Sequence, residues 1–261
     1  MTVPVEITIL GCGTSGGIPR IGGAGGRGEW GACKPDNPRN RRRRCSILVR
    51  ANGSTLLVDT SPDCREQLLD AGVDRIDAVL WTHDHADQTH GIDDLRPFSL
   101  VQGPVDAWAD ARTLGVLQRR FDYCFVTEAG SFYRAIYRPH VIETAHFAAA
   151  GVDIVAFRQD HGTIPSLGFR FGAVAYANDV VGLDEDAFSA LAGVEVLIVD
   201  AMRYRPHPTH AHLDLTLQWI DRIKPRQAIL TNMHVDLDYD ELMQRTPDHV
   251  EPAYDGMVIR G

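Results

Sequence analysis

The chain has 261 residues, 44% of them hydrophobic, and a formal net charge of −9. That length bounds it to one large domain or two small ones with a real core, and the acidic balance argues against the broad basic footprint of a nucleic-acid-binding protein. Its five cysteines (Cys12, Cys33, Cys45, Cys64 and Cys124) are odd in number, widely spaced and without a CxxC pair, which excludes a disulfide framework and points to a reducing, cytoplasmic setting.

The start "MTVPVEITILGCG" lacks the basic segment and sustained apolar run of a secretory leader. No stretch stays apolar long enough to span a bilayer. "VEITILG" alternates partly and stops at glycine, so it reads as a first strand. Ten glycines then fall between Gly11 and Gly31. That density predicts a long loop, of the kind that is functional or mobile. Four consecutive arginines, Arg41 to Arg44, read equally well as a solvated edge or as a local basic patch.

"CSILVRANGSTLLVDT" holds two β-rich runs around Asn52-Gly53, the dipeptide of a type I′ hairpin. "SPDCREQLLDAG" predicts a helix with Ser61 as N-cap, Pro62 in its first position and a stop at Gly72. "IDAVLWT" is a buried strand that runs straight into "THDHADQTHG". The pattern breaks at Pro97. Further on, "GVDIVAF" and "LGFRFGAVAYA" read as strands, "DEDAFSALAG" as a helix and "VEVLIVDA" as a strand. "LDLTLQWIDRIK" is a helix, "RQAILTN" a strand and "YDELMQR" a helix. There is no repeat, linker or composition shift. One α/β domain over residues 1–261 is expected, with a mixed sheet because the hairpin adds antiparallel pairing.

Alternate side chains of a strand share a side. His83 and His85 at the end of "AVLWT" therefore converge, and Asp87 follows as the chain turns into a helix. Imidazoles with a carboxylate suit Zn²⁺ and similar ions. A polar surface turn is the competing reading; the clustering of these groups directly behind an apolar strand argues against it. His161, Asp179, His212 and His234 also sit where strands end or helices begin, and ligands of α/β sheets gather at such ends. Singly, each reads more readily as a loop or cap residue. Together with His83, His85 and Asp87 they form one expected site.

These residues, with the glycine loop, "LLVDT" and "LWTHDHADQTHG", resemble the metallo-β-lactamase-fold hydrolases over essentially the whole chain. "RNRRRRCS", "HGTIPSLGFRF", "NDVVGL", "VDAMRY" and "HLDLTLQWI" are similar to the PhnP-like branch, phosphodiesterases of phosphoribosyl 1,2-cyclic phosphate. The resemblance implies an α/β fold, a four-layer αβ/βα sandwich of two mixed β-sheets. It implies that His83, His85 and His161 hold one divalent ion, that Asp87 and residue 88 hold a second, and that Asp179 bridges both. Residue 88 is here Gln88 where histidine is usual. Asn232 stands at the late ligand position, and His234, two residues on, is the alternative. The implied cofactor is one or two ions of zinc or manganese, with the second site altered or weaker because hard oxygen donors favour Mn²⁺ or Mg²⁺. Asp87 and Asp179 would orient the attacking water, and His212 would protonate the leaving alkoxide.

Guanidinium groups match phosphate, so Arg44, Arg96, Arg203 and Arg205 are candidates for substrate binding. Arg96 is preferred because it follows the histidine motif closely. The family's structural zinc is not expected: only Cys33 remains of its cysteines and Val235 stands at its late histidine position. Packing through Trp30 is the alternative anchor for the glycine loop. The expected activity is metal-dependent hydrolysis of a small cyclic or ester phosphate, with no membrane or nucleic-acid partner and a homodimer left open. The alternatives are a hydrolase of lactones, thioesters or β-lactams, and a catalytically weakened metal-binding protein.

Overall fold

The computed structural model describes residues 4–130 and 132–261; the first three residues of the N-terminal segment read above lie outside them. The strands in chain order are β1 (Glu6–Gly11), β2 (Ser46–Ala51), β3 (Ser54–Val58), β4 (Ala78–Leu80), β5 (Val105–Ala109), β6 (Tyr137–Val141), β7 (His146–Ala149), β8 (Val152–His161), β9 (Ile164–Phe171), β10 (Val174–Ala177), β11 (Val196–Asp200), β12 (Gln227–Thr231), β13 (Val250–Pro252) and β14 (Val258–Arg260). The helices are α1 (Cys64–Asp70), α2 (Ala86–Thr89), α3 (Arg96–Gln102), α4 (Ala111–Arg120), α5 (Asp122–Phe125), α6 (Glu185–Leu191), α7 (Leu213–Ile223) and α8 (Tyr239–Arg245).

Two seven-stranded mixed sheets result, ordered β14-β1-β2-β3-β4-β5-β6 and β13-β12-β11-β10-β9-β8-β7. Alternation along the strands decides the layers. Ile7, Ile9, Ile47, Val49, Leu56 and Val58 point into the core shared with Phe169, Phe171 and Val199 of the second sheet. Leu48, Leu57 and Val79 point the other way and pack with Leu68 of α1 and Leu114 and Leu117 of α4. β11 is buried at every residue, as a central parallel strand covered on both faces must be. α7 buries Leu213, Thr216, Trp219 and Ile220, one stripe at helical spacing. Among the described residues, no helix is long and apolar enough to cross a membrane.

The hairpin turn has Asn52 at φ 53° and Gly53 at φ 76°, the left-handed pair that a type I′ turn requires. α1 differs from its sequence reading. It begins at Cys64, not Pro62, and its N-cap is Asp63. The Ser61 hydroxyl is spent elsewhere: it accepts from the Asp63 N–H at 3.1 Å and donates to Gln67 Oε1 at 2.8 Å.

The glycine-rich segment is tied in by isolated backbone bridges, Gly13 to Arg44 and Met233, and Ile18 to Arg42. Trp30 packs on a small cluster of Ile18, Cys33 and Val235. The deeper anchor is Arg42, almost completely buried. Its guanidinium donates to the Leu237 carbonyl at 2.8 Å and to Asn40 Oδ1 at 3.4 Å, and Asn40 in turn donates to Asp238 at 2.7 Å. Replacing Arg42 by alanine leaves a void and strips a buried carbonyl of its donor. The expected cost is about 3 kcal/mol, read as a lower urea midpoint; an unchanged midpoint would refute this role for Arg42.

Candidate metal centre

Strands β3, β4, β8, β10, β11 and β12 all end at the same edge, because β3–β4 and β10–β11–β12 run parallel and β8 is two antiparallel steps from β10. The polar residues of the site sit at those ends. Three of them, Asp59, Asp179 and Asn232, take positive φ of 64°, 53° and 58°. Such backbone is uncommon outside glycine, with Asn and Asp the best tolerated, and it turns each side chain back across the sheet edge.

His83 is the most completely determined of these residues. Thr82 donates its N–H to Asp59 Oδ1 at 2.8 Å, and its hydroxyl lies 2.9 Å from Asp59 Oδ2. With that proton given to Asp59, the hydroxyl oxygen accepts from His83 Nδ1 at 3.0 Å. The relay fixes the ring and leaves Nε2 buried with no hydrogen-bond partner. A buried polar atom without a partner is costly, and here it is the lone pair that a cation would take. His161, at the end of β8, is fixed similarly: its Nδ1 donates to the Thr209 carbonyl at 2.8 Å. Its Nε2 then faces His85 Nδ1 at 3.2 Å. The ring centroids of His83, His85 and His161 lie 4.6–5.1 Å apart, and one nitrogen from each falls within 4.8 Å of the others. Burial, then the neighbouring histidines, push His83 well below the usual imidazole range and His161 down to about 4. Both are therefore neutral near pH 7, the form that binds metal. The three-imidazole set suits Zn²⁺ or a similar divalent ion.

Substituting Thr82 by valine keeps the shape but breaks the relay from Asp59. Metal affinity is expected to fall roughly 10- to 100-fold, the usual effect of losing such a supporting partner, in a competitive chelator titration. Wild-type affinity would show that the relay is irrelevant.

Asp179 is buried beside this triad. It receives Gln88 Nε2 at 2.8 Å and Asn178 Nδ2 at 2.9 Å on one oxygen, and Asn232 Nδ2 at 3.0 Å on the other. Asp87 is half-buried at the start of α2, 3.4 Å from Gln88 Nε2. Asp179 also forms part of a second candidate metal group, with His161 and His210.

His210 and its partner Asp200 were not singled out from the sequence. His210 Nδ1 lies 2.9 Å from Asp200 Oδ2 and 3.3 Å from Asp179 Oδ1, and its ring stacks edge-on to His161. Burial lowers the His210 pKa, but the hydrogen bond and charge of Asp200 and the charge of Asp179 outweigh it, raising it to about 9. The signal in the sequence was "VDAMRY" and "THAH". Two histidines two residues apart before a helix do not reveal which one turns inward.

Several expected residues lie elsewhere. His212 is the N-cap of α7, and its backbone bridges to Arg203; it is outside the cluster that His210 joins. His234 does not reach Asp179, because its Nε2 accepts from Arg20 at 3.1 Å while its Nδ1 lies 3.1 Å from Asp236. Asn232 is the late residue that touches Asp179. Arg96 is held by Asp93 at 2.6 Å and stacks over Tyr123 and Tyr133, in a surface depression lined by Leu68, Leu69 and Phe98. The 3-10 turn Ile92–Leu95 carries it away from the histidines. Arg203 folds back on its own loop, donating to the carbonyls of Arg205 and Pro206 at 3.2 and 3.0 Å. His207 lies nearer the centre, its ring 5.1 Å from His210, and burial, then the charges of His210, Arg203 and His234, lower its pKa.

The β-lactamase superfamily domain description fits residues 54–233 of the chain. The crystal structure of a diphosphatase from the PhnP family superposes with a TM-score of 0.90 at 32% identity, covering 100% of this chain and 98% of that one. Zn²⁺-bound PqqB from Methylobacterium extorquens superposes with a TM-score of 0.77 at 19% identity over 97% and 99% of the two chains, a likeness of fold. An octanoyltransferase of Porphyromonas gingivalis is 29% identical over 95% of this chain. The chain spans about half the length of that curated relative, 50%.

Proposed function

The chain belongs to the β-lactamase superfamily and, within it, to the PhnP family, and from that premise we propose that it is a metal-dependent hydrolase of a small phosphate ester or anhydride. The observation that carries this reading is the convergence of His83, His85 and His161, with a buried and unpartnered Nε2 on His83, beside an imidazole backed by a carboxylate. A divalent ion held by the three histidines would supply Lewis acidity toward a phosphoryl oxygen and toward water.

The remaining chemistry belongs to the chain. Asp87, half-buried beside Gln88, is the carboxylate suited to accept a proton from attacking water, and Asp179, held by three amide donors, is suited to orient the groups around it. His210, oriented by Asp200, is the group suited to protonate the departing oxygen, in place of His212. Arg20, which donates to His234 and pairs with Glu29, is the cationic group at the mouth of the glycine loop, and it favours an anionic substrate over a neutral lactone. It is the better candidate for binding substrate than Arg96, which is held by Asp93. The PhnP-family relative's activity as a diphosphatase extends the substrate range to be tested from cyclic phosphodiesters to diphosphates.

The test is turnover by protein loaded with Zn²⁺ or Mn²⁺ on bis(p-nitrophenyl) phosphate, a ribosyl cyclic phosphate, nucleoside diphosphates and a panel of lactones. Hydrolysis of a phosphate substrate supports the reading. Lactone hydrolysis alone, or metal binding without any turnover, would overturn it.

A further inference from the structure

We propose that this chain holds one divalent ion in its centre rather than two, the place of the second being closed by two amides, Gln88 and Asn232, that each donate to Asp179. The inference rests on the reading of His83, His85 and His161 as a metal triad and specifies how that site is loaded.

An ionised carboxylate such as Asp179 offers about four lone-pair positions on two oxygens. On Oδ2, Gln88 Nε2 donates at 2.8 Å and Asn178 Nδ2 at 2.9 Å. On Oδ1, Asn232 Nδ2 donates at 3.0 Å, while His210 Nδ1, 3.3 Å away, lies closer to Asp200 at 2.9 Å. Three amide donors leave the carboxylate about one position, where bridging two ions would take two. Gln88 cannot be reversed in place, because turning it would set its oxygen 2.8 Å from a carboxylate oxygen, acceptor against acceptor. Asn232 Nδ2 also stands 3.3 Å from Asp200 and 3.1 Å from His210 Nδ1.

The two amides are built in. Gln88 is buried, its N–H donates to the His85 carbonyl at 3.2 Å, and its own carbonyl accepts from Thr60 at 2.8 Å. Asn232 is buried at the end of β12 in the left-handed conformation that aims its side chain at Asp179. Neutral N–H donors can satisfy a buried carboxylate as a cation would, without needing a cation.

The histidine and carboxylate groups that could hold an ion also overlap. The triad His83, His85, His161 and the triad His161, Asp179, His210 share His161. His161 gives its Nδ1 proton to Thr209, so one lone pair remains, at Nε2, and one lone pair serves one ion. The triads are alternatives rather than a pair. The first offers three imidazoles and the unpartnered Nε2 of His83; in the second, His210 is engaged with Asp200 and Asp179 with three amide donors.

The test is metal counting on the full chain. Protein equilibrated with excess Zn²⁺ and then gel-filtered should contain one zinc per chain by inductively coupled plasma mass spectrometry. A crystal should show one anomalous peak at the zinc edge, beside His83. Loaded with Mn²⁺, the chain should give the spectrum of isolated ions in electron paramagnetic resonance. Two zinc ions per chain, or an exchange-coupled Mn²⁺ pair, would overturn the inference while leaving the metal triad intact. No bound ion at all would overturn both. The double variant Gln88→His, Asn232→His should bind a second ion; a folded double variant that stays at one ion would show that the amides are not what closes the second place.

Discussion

Replacing His83 by alanine is expected to lower kcat/KM by roughly 10⁴-fold, equivalent to about 5.4 kcal/mol of transition-state stabilisation, and to leave no tightly bound ion. Nothing near His83 can take over its part. The residue is buried and its ring is set by Thr82 and Asp59. Its Nε2 points into the triad with no other partner. His85 is the useful contrast: it is exposed on the turn entering α2, where water can reach the vacated position, so His85→Ala should lose less affinity. Asp59 and Thr82 still satisfy each other when the ring is removed, so the fold should survive and near-ultraviolet circular dichroism should be unchanged. Wild-type metal content, or a rate within tenfold of wild type, would remove His83 from the centre.

The reasons that His83 was legible in the sequence and other residues were not are physical. A short apolar strand followed at once by alternating histidines constrains both, because the strand fixes which side they leave from. The hairpin was equally direct, since Asn52-Gly53 names its own turn. Gln88 and Asn232 could be located as departures, but their direction depends on which neighbours need donors, and that is set by Asp179 and Asp200 arriving from β10 and β11. Arg96 is near the histidine motif in sequence but not in contacts: beyond the 3-10 turn Ile92–Leu95 it pairs with Asp93 and lies over Tyr123 and Tyr133. The loop from 201 to 212 was opaque for a related reason. Its course is set by long-range backbone bonds, Ala211 N–H to Val180 and Met202 N–H to Ala211, which no local pattern encodes.

That loop decides the last expected result. His210→Ala should lower turnover of a substrate with an alkoxide leaving group by roughly 10²- to 10⁴-fold, the usual worth of a placed proton donor, while His212→Ala should leave it near wild type. The contrast is sharp because the residues are two apart. His210 faces Asp200, Asp179 and His161, whereas His212 caps α7 with its backbone, its carbonyl accepting from Thr216 at 3.0 Å. A loss in His210→Ala could also arise from disturbing Asp179, so the leaving group is the discriminating variable. p-Nitrophenolate departs without a proton, whereas an alkoxide does not. A proton-donor role therefore predicts a small loss on p-nitrophenyl esters and a large one on alkyl esters. Equal losses on both would assign His210 to positioning Asp179. An unchanged rate on both would exclude it from the reaction. Asp200→Asn should follow His210→Ala in sign and leaving-group dependence but at smaller size, since it removes the partner that holds the ring rather than the ring that holds the proton.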